Sequence, residues 1–118
     1  MITVYLGLPY SHPQKKVMKS RFNAANKAAA HLIKNGFNCL SPISHSHPIS
    51  QHLNNSDDSA FWTAVDEYWQ RQCDQLIILT IPGWRESLGL KKEIKLAMEI
   101  GQKVFFMDPD SYEIKNGL

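Results

Sequence analysis

Four short apolar runs punctuate the chain: ITVYLG (2–7), FNCLS (37–41), QLIILTI (75–81) and KVFFM (103–107). They are nearly continuous in hydrophobicity rather than alternating, the pattern of strands covered on both faces. Between them lie three stretches whose apolar positions recur at helical spacing. The first runs from about Gln14 to Asn35, is rich in alanine, and stops at Gly36, a residue suited to closing a helix. The second runs from about Asp58 to Gln72, with Ser56 or Asp57 as N-cap candidates. The third runs from about Ser87 to Ile100, with Gly101 after it. The closing segment DPDSYEIKNGL reads as a polar extension with no assigned element.

The β-α-β-α-β-α-β order predicts a parallel sheet with helices on both faces. The expected architecture is a flavodoxin- or Rossmann-like three-layer α/β/α domain of about four strands, ordered 2-1-3-4. In such sheets ligands bind beyond the carboxyl ends of the strands. Three loops meet that edge: LPYSHPQ after the first strand, PISHSHPISQHLNNS after the second and PGWRES after the third. The second is longer than the usual connection of about 2–6 residues, which marks it for function or mobility.

The length, 118 residues, suits one domain spanning 1–118. A net charge of +2 gives no electrostatic reason to expect a nucleic-acid polymer or a membrane as partner. No apolar run approaches the ~20 residues a membrane helix needs. The chain opens on a strand-like segment without a basic leader, and Cys39 and Cys73 stand far apart. Both features lead us to expect reduced core thiols and a cytoplasmic location. Neither a Gly-rich dinucleotide fingerprint nor a P-loop occurs, so no cofactor is expected.

Two carboxylates fall on apolar helix faces. In the third helix, Leu90, Ile94, Ala97, Met98 and Ile100 form the apolar arc, opposite Lys91, Lys92, Lys95 and Glu99. Glu93 lies inside that arc, where a carboxylate costs free energy unless it is paired. It either reaches water, pairs with a buried arginine, or points into the ligand crevice; its place after a strand–loop–helix junction favours the crevice. In the second helix, Phe61, Trp62, Val65, Tyr68 and Trp69 are the expected buried face, with Asp66 at its border. Arg21 sits among Val17, Ala25, Ala28 and Leu32 of the first helix. It is free to pair with Asp66, with Glu93, or with an anionic ligand.

His45 and His47, two apart, face the same side if their segment is extended. They suit a pocket wall, a solvated loop, or a metal site, the last needing His52, Asp57 or Asp58 as a third ligand. The pocket wall is preferred and no metal is expected. Tyr10, Ser11 and His12 occupy the first ligand-edge loop and join the candidate binding residues, whereas His31 is read as exposed. Trp84 is placed either to stack on a base or to cap the core. The aromatics of the second helix serve core or a dimer surface.

VYLGLPYS, DEYWQRQCDQLIIL and SLGLKKEIKLAMEIG, in this order, resemble the nucleoside 2-deoxyribosyltransferase-like superfamily over residues 2–107. Tyr5, the Asp66 and Asp74 pair, and Gly89 with Glu93 occupy that family's motif positions. The resemblance implies a nucleoside or nucleotide substrate. Glu93 would be the nucleophile on the anomeric carbon, Asp66 would orient Glu93 or the sugar or protonate the leaving base, and Tyr5 would hold the Glu93 rotamer. Ser87, where the transferases carry Asp, looks like the branch that hydrolyses deoxynucleoside 5′-monophosphates, where it helps to bind phosphate. Leu8 stands in place of a family glycine, with Gly7 beside it. The implied activity is an N-glycosidase; a silent nucleotide-binding module and a deoxyribosyltransferase are the alternatives. The resemblance also implies a homodimer or higher homo-oligomer.

Overall fold

A computed structural model describes residues 1–53 and 59–117. In chain order it contains β1 (Thr3–Gly7), α1 (Lys15–Lys34), β2 (Asn38–Leu40), α2 (Pro42–Ser50), α3 (Ser59–Arg71), β3 (Gln75–Leu79), α4 (Leu88–Glu99), β4 (Lys103–Met107) and β5 (Ile114–Asn116). The sheet order is β2-β1-β3-β4-β5, parallel except for the β4–β5 pair. The expected α/β order 2-1-3-4 is therefore present, with a fifth strand on its edge. That strand lies in the segment read as an unassigned polar extension. Only three residues long, it carries no hydrophobic run and is specified by the Asp108–Ser111 turn, where Asp108 Oδ1 accepts the N–H groups of Asp110 and Ser111.

The central strands β1 and β3 are buried on both faces and divide the core in two. Val4, Leu6, Leu8, Ile77 and Leu79 face α1, whose Ala25, Ala28, Ala29 and Leu32 form a close-packed stripe. Tyr5, Leu76, Ile78 and Val104 face α4 through Leu90 and Ala97. Alternation along β1 therefore sends Tyr5 and Gly7 to one side and Leu6 and Leu8 to the other. Gly36, at φ 92°, closes α1 as its sequence position predicts.

The second correction concerns SPISHSHPIS. Residues 42–50 of this expected loop form α2, with Pro42 in its first turn, where a missing N–H costs nothing. Pro48 lies near the end, and the helix stops soon after it. The prolines are thus positioned to start and finish a short helix. The proposed N-caps Ser56 and Asp57, and the helix start at Asp58, lie outside the described residues.

Two amphipathic assignments also change. Phe61, Tyr68 and Trp69 of α3 are exposed, and so are Met98 of α4 and Ile100 just after it. The inward face of α3 instead carries Asp66 and the buried Gln70, directed at α4. The apolar residues of α3 mislead because most of them lie outside that narrow contact. Among the described residues, no helix is long and apolar enough to cross a membrane.

Candidate active site

β1 enters the site with Tyr5 and Gly7 on its α4-facing side. The Tyr5 hydroxyl donates to Glu93 Oε2 at 2.6 Å. The other carboxyl oxygen lies over Gly7, where a Cβ would stand only 2.8 Å from Glu93 Oε1 and 3.1 Å from Leu90 Cδ2. Glycine is thus required at position 7 for the carboxyl to rest against the strand. Leu8 points into the opposite core and is 5 % exposed, so it does not intrude on the site.

Burial pushes the Glu93 carboxyl up to about 8; the Tyr5 hydrogen bond opposes this shift and the Asp66 charge adds to it. Burial likewise raises Asp66 to about 6. Asp66 Oδ1 is enclosed with no hydrogen-bond partner among the described residues. An orphaned buried carboxylate oxygen is costly, about 1–3 kcal/mol or more, and calls for a partner such as a ligand hydroxyl or water. Burial, and after it the charges of Glu93 and Asp66, hold the Tyr5 hydroxyl protonated well beyond the ordinary range. Tyr5, Asp66 and Glu93 therefore form one electrostatic unit.

The two carboxylates line a small cleft of about 50 Å³ between α3 and α4, with Thr63, Glu67, Gln70, Gly89 and Lys92. Gly89 has no internal packing reason: a Cβ there would meet nothing closer than Ser87 Oγ at 3.8 Å. Gly89 stands in the first turn of α4, exposed at the lining of the cleft. Ser87 caps α4, its Oγ accepting from Leu90 N at 3.2 Å. Among the described residues the hydroxyl hydrogen has no acceptor, so it can serve another.

Gln70 is the residue that sequence reasoning misses. It is 1 % exposed and its amide donates to the Glu93 carbonyl at 2.8 Å and to Gln102 Oε1 at 3.1 Å. Gln102 returns bonds to the carbonyls of Gln70 at 3.0 Å and Cys73 at 2.9 Å. This clasp fixes the height of α3 against α4, and so of Asp66 against Glu93. Its signal is phase: Gln70 follows Asp66 by one helical turn and shares its inward face. Asp74, in contrast, accepts from Thr3 N at 2.8 Å at the far end of the sheet and ties strands together.

The other candidates lie apart from the carboxylates. Arg21 donates to the carbonyls of Ser11 at 3.1 Å, Tyr10 at 3.4 Å and Pro82 at 3.4 Å. It clasps two ligand-edge loops, and among the described residues it pairs with neither Asp66 nor Glu93. His12 accepts from Gln14 N at 3.0 Å and helps to start α1. Trp84 packs on Phe106, ring centroids 5.1 Å apart, with the Arg85 guanidinium 5.0 Å from its ring, so it does cover the core. His31, expected to be exposed, lies against Tyr112 at 4.6 Å.

Because residues 42–50 are helical, His45 and His47 diverge by about 200° instead of facing the same side. His47 turns inward, hydrogen-bonding the Tyr10 hydroxyl and stacking on Phe22 at 4.3 Å. His45 is exposed, 6.4 Å from the ring of Trp69. Among the described residues no three His, Cys, Asp or Glu side chains gather to hold a metal; Asp57 and Asp58 lie outside them. Cys39 and Cys73 are free and half-buried, and burial raises both thiols to about 11.

The family model described as "Domain of unknown function (DUF1937)" matches residues 2–109. No curated protein matches the chain.

Proposed function

The chain belongs to the DUF1937 domain family, and from its carboxylate cluster we propose that it is a small N-glycosidase acting on a nucleoside or its 5′-monophosphate. One observation carries the reading: Glu93, held by Tyr5 and accommodated by Gly7, shares an enclosed cleft with the unsatisfied Asp66. The motif resemblance to the nucleoside 2-deoxyribosyltransferase-like superfamily, carried by the same residues, agrees with it.

The chemistry needs one proton on the pair. Between pH about 6 and about 8 the pair holds one, resting on Glu93 because that carboxyl is the more strongly raised. Reaction requires the opposite placement, with Glu93 ionised and Asp66 protonated. The difference of about two pH units makes this rearrangement cost about 3 kcal/mol, small beside a glycosidic barrier. Glu93 then bonds to the anomeric carbon as the C–N bond breaks. The bonding pair leaves with the base, which takes the Asp66 proton. Water attacks the glycosyl ester, giving its proton to Asp66 and releasing Glu93 as carboxylate. Ser87 and the N–H groups opening α4 suit a 5′-phosphate near the cleft mouth.

The test is base release from a panel of nucleosides and nucleoside monophosphates. Release from at least one, lost by 10³-fold or more in Glu93→Ala, is expected. No release from any, or release indifferent to Glu93→Ala, contradicts the proposal. A silent nucleotide-binding module is the second reading, favoured by the burial that pushes the Glu93 carboxyl up to about 8 and so keeps the would-be nucleophile protonated at neutral pH. That reading predicts calorimetric nucleotide binding without turnover.

A further inference from the structure

A larger concavity, about 490 Å³, lies on the other face of the sheet. Its long wall is α1, where Lys16, Lys19, Asn23 and Lys27 recur at three- and four-residue spacing and so share one helix face. Its floor is Leu79, the last residue of β3, which belongs to the core on the α1 side and not to the Glu93 side. Its far wall is the β4–β5 connection, through Pro109 and Tyr112. The groove therefore opens at the carboxyl ends of β3 and β4, the edge at which parallel sheets take ligands.

Three features distinguish it from an ordinary solvated helix face. The first is the sign of its lining. Three lysines line the groove and, among the described residues, no carboxylate does. Lys16 and Lys19 repel each other one turn apart, in a chain whose net charge is only +2. Asp108 and Asp110 flank Pro109 of the far wall in sequence without lining the groove, and Asp108 Oδ1 accepts from Asp110 N at 2.8 Å and Ser111 N at 2.9 Å.

The second feature is the build of the far wall. Tyr112 adopts φ 61°, the chain's non-glycine residue in the left-handed region among those described. Its N–H donates to the Asp108 carbonyl at 2.9 Å, and its ring rests against His31 of α1. A bulky side chain in that backbone region is unusual and is held there by the turn around it. The third feature is size: the volume falls within the range that encloses small organic ligands.

We propose that this groove is an anion site for a small molecule bearing two adjacent phosphate groups, gripped by Lys16, Lys19 and Lys27. The lysines act as point charges with rotatable donors, Asn23 adds an amide donor, and Tyr112 closes the side. The sheet separates this site from Glu93, so it does not depend on the glycosidase reading.

Titration calorimetry of the full chain with inorganic pyrophosphate, at fixed ionic strength, tests the assignment. Saturable binding with one site per chain is expected. The triple variant Lys16→Gln/Lys19→Gln/Lys27→Gln should weaken it at least tenfold with an unchanged circular dichroism spectrum, since all three side chains are exposed. The control Lys95→Gln/Lys103→Gln, also at exposed positions and away from α1, should leave it within twofold, as should Glu93→Gln. Absence of saturable binding overturns the proposal. Equal weakening by the control reduces it to diffuse attraction, and loss in Glu93→Gln would put the anion at the other site. Binding of single-stranded oligonucleotides that tightens with length and is not displaced by pyrophosphate would assign the groove to a polymer and reject the small-molecule site.

Discussion

Gly7 shows how much of the site rests on one absent side chain. A Cβ there would stand 2.8 Å from Glu93 Oε1, closer than van der Waals contact allows. Gly7→Ala should therefore displace the carboxyl and weaken its bond with Tyr5. The expected outcome is base release reduced at least tenfold, with a stability loss of about 1–3 kcal/mol measured by urea unfolding. Retention of full activity would mean that the Glu93 rotamer does not matter. At this scale the sequence is readable where a residue violates its helical phase, as Glu93 and Asp66 do. Gln70 escapes notice because a glutamine is neutral to such patterning, and its importance appears only when Gln102 arrives from a distant turn. Arg21 invites a carboxylate partner, yet its bonds go to carbonyls, which no sequence pattern displays.

Among the elements, α2 departs furthest from its sequence reading. Serine, proline and histidine dominate it, and all are weak helix formers. Its position is set by tertiary contacts: His47 meets Tyr10 and Phe22, and Ile43 joins the α1-side core. The two histidines should accordingly behave differently. His47→Ala is expected to cost about 1–3 kcal/mol, from a lost hydrogen bond and ring stack. His45→Ala should stay within about 0.5 kcal/mol, as for an exposed position. Thermal unfolding of the two single variants measures this; equal effects would contradict the anchoring role of His47. The long apolar strands were legible because burial on both faces leaves an unbroken hydrophobic run. The short β5 was not, since its pairing depends on a turn rather than on hydrophobic content.

The sheet gives the whole molecule two unlike sides, one with half-buried acids and one with a basic groove. The acids leave a mark on global stability. Glu93 and Asp66 have folded-state values raised to about 8 and about 6, so between pH about 4 and 8 the native state holds more protons than the unfolded chain. Stability should then fall as pH rises through that window and level off above about 8, with a slope of at most about 1.4 kcal/mol per pH unit for each group. Glu93→Gln should flatten the upper part of this dependence and be more stable than the parent at pH 8. Urea midpoints measured from pH 5 to 9 check the sign; a rise in stability with pH across the window would show that the carboxyl is not buried.

Base release by the parent chain and by Glu93→Gln, followed from pH 5 to 9 on the nucleoside and nucleotide panel, bears most directly on the proposed chemistry. With the proton shared by Glu93 and Asp66, kcat/KM should trace a bell with limbs near 6 and 8. Below the lower limb both carboxyls are protonated and no nucleophile exists. Above the upper limb both are ionised and the leaving base finds no acid. Glu93→Gln should lose release at every pH. Release that persists in the variant with the same pH profile would contradict the role assigned to Glu93.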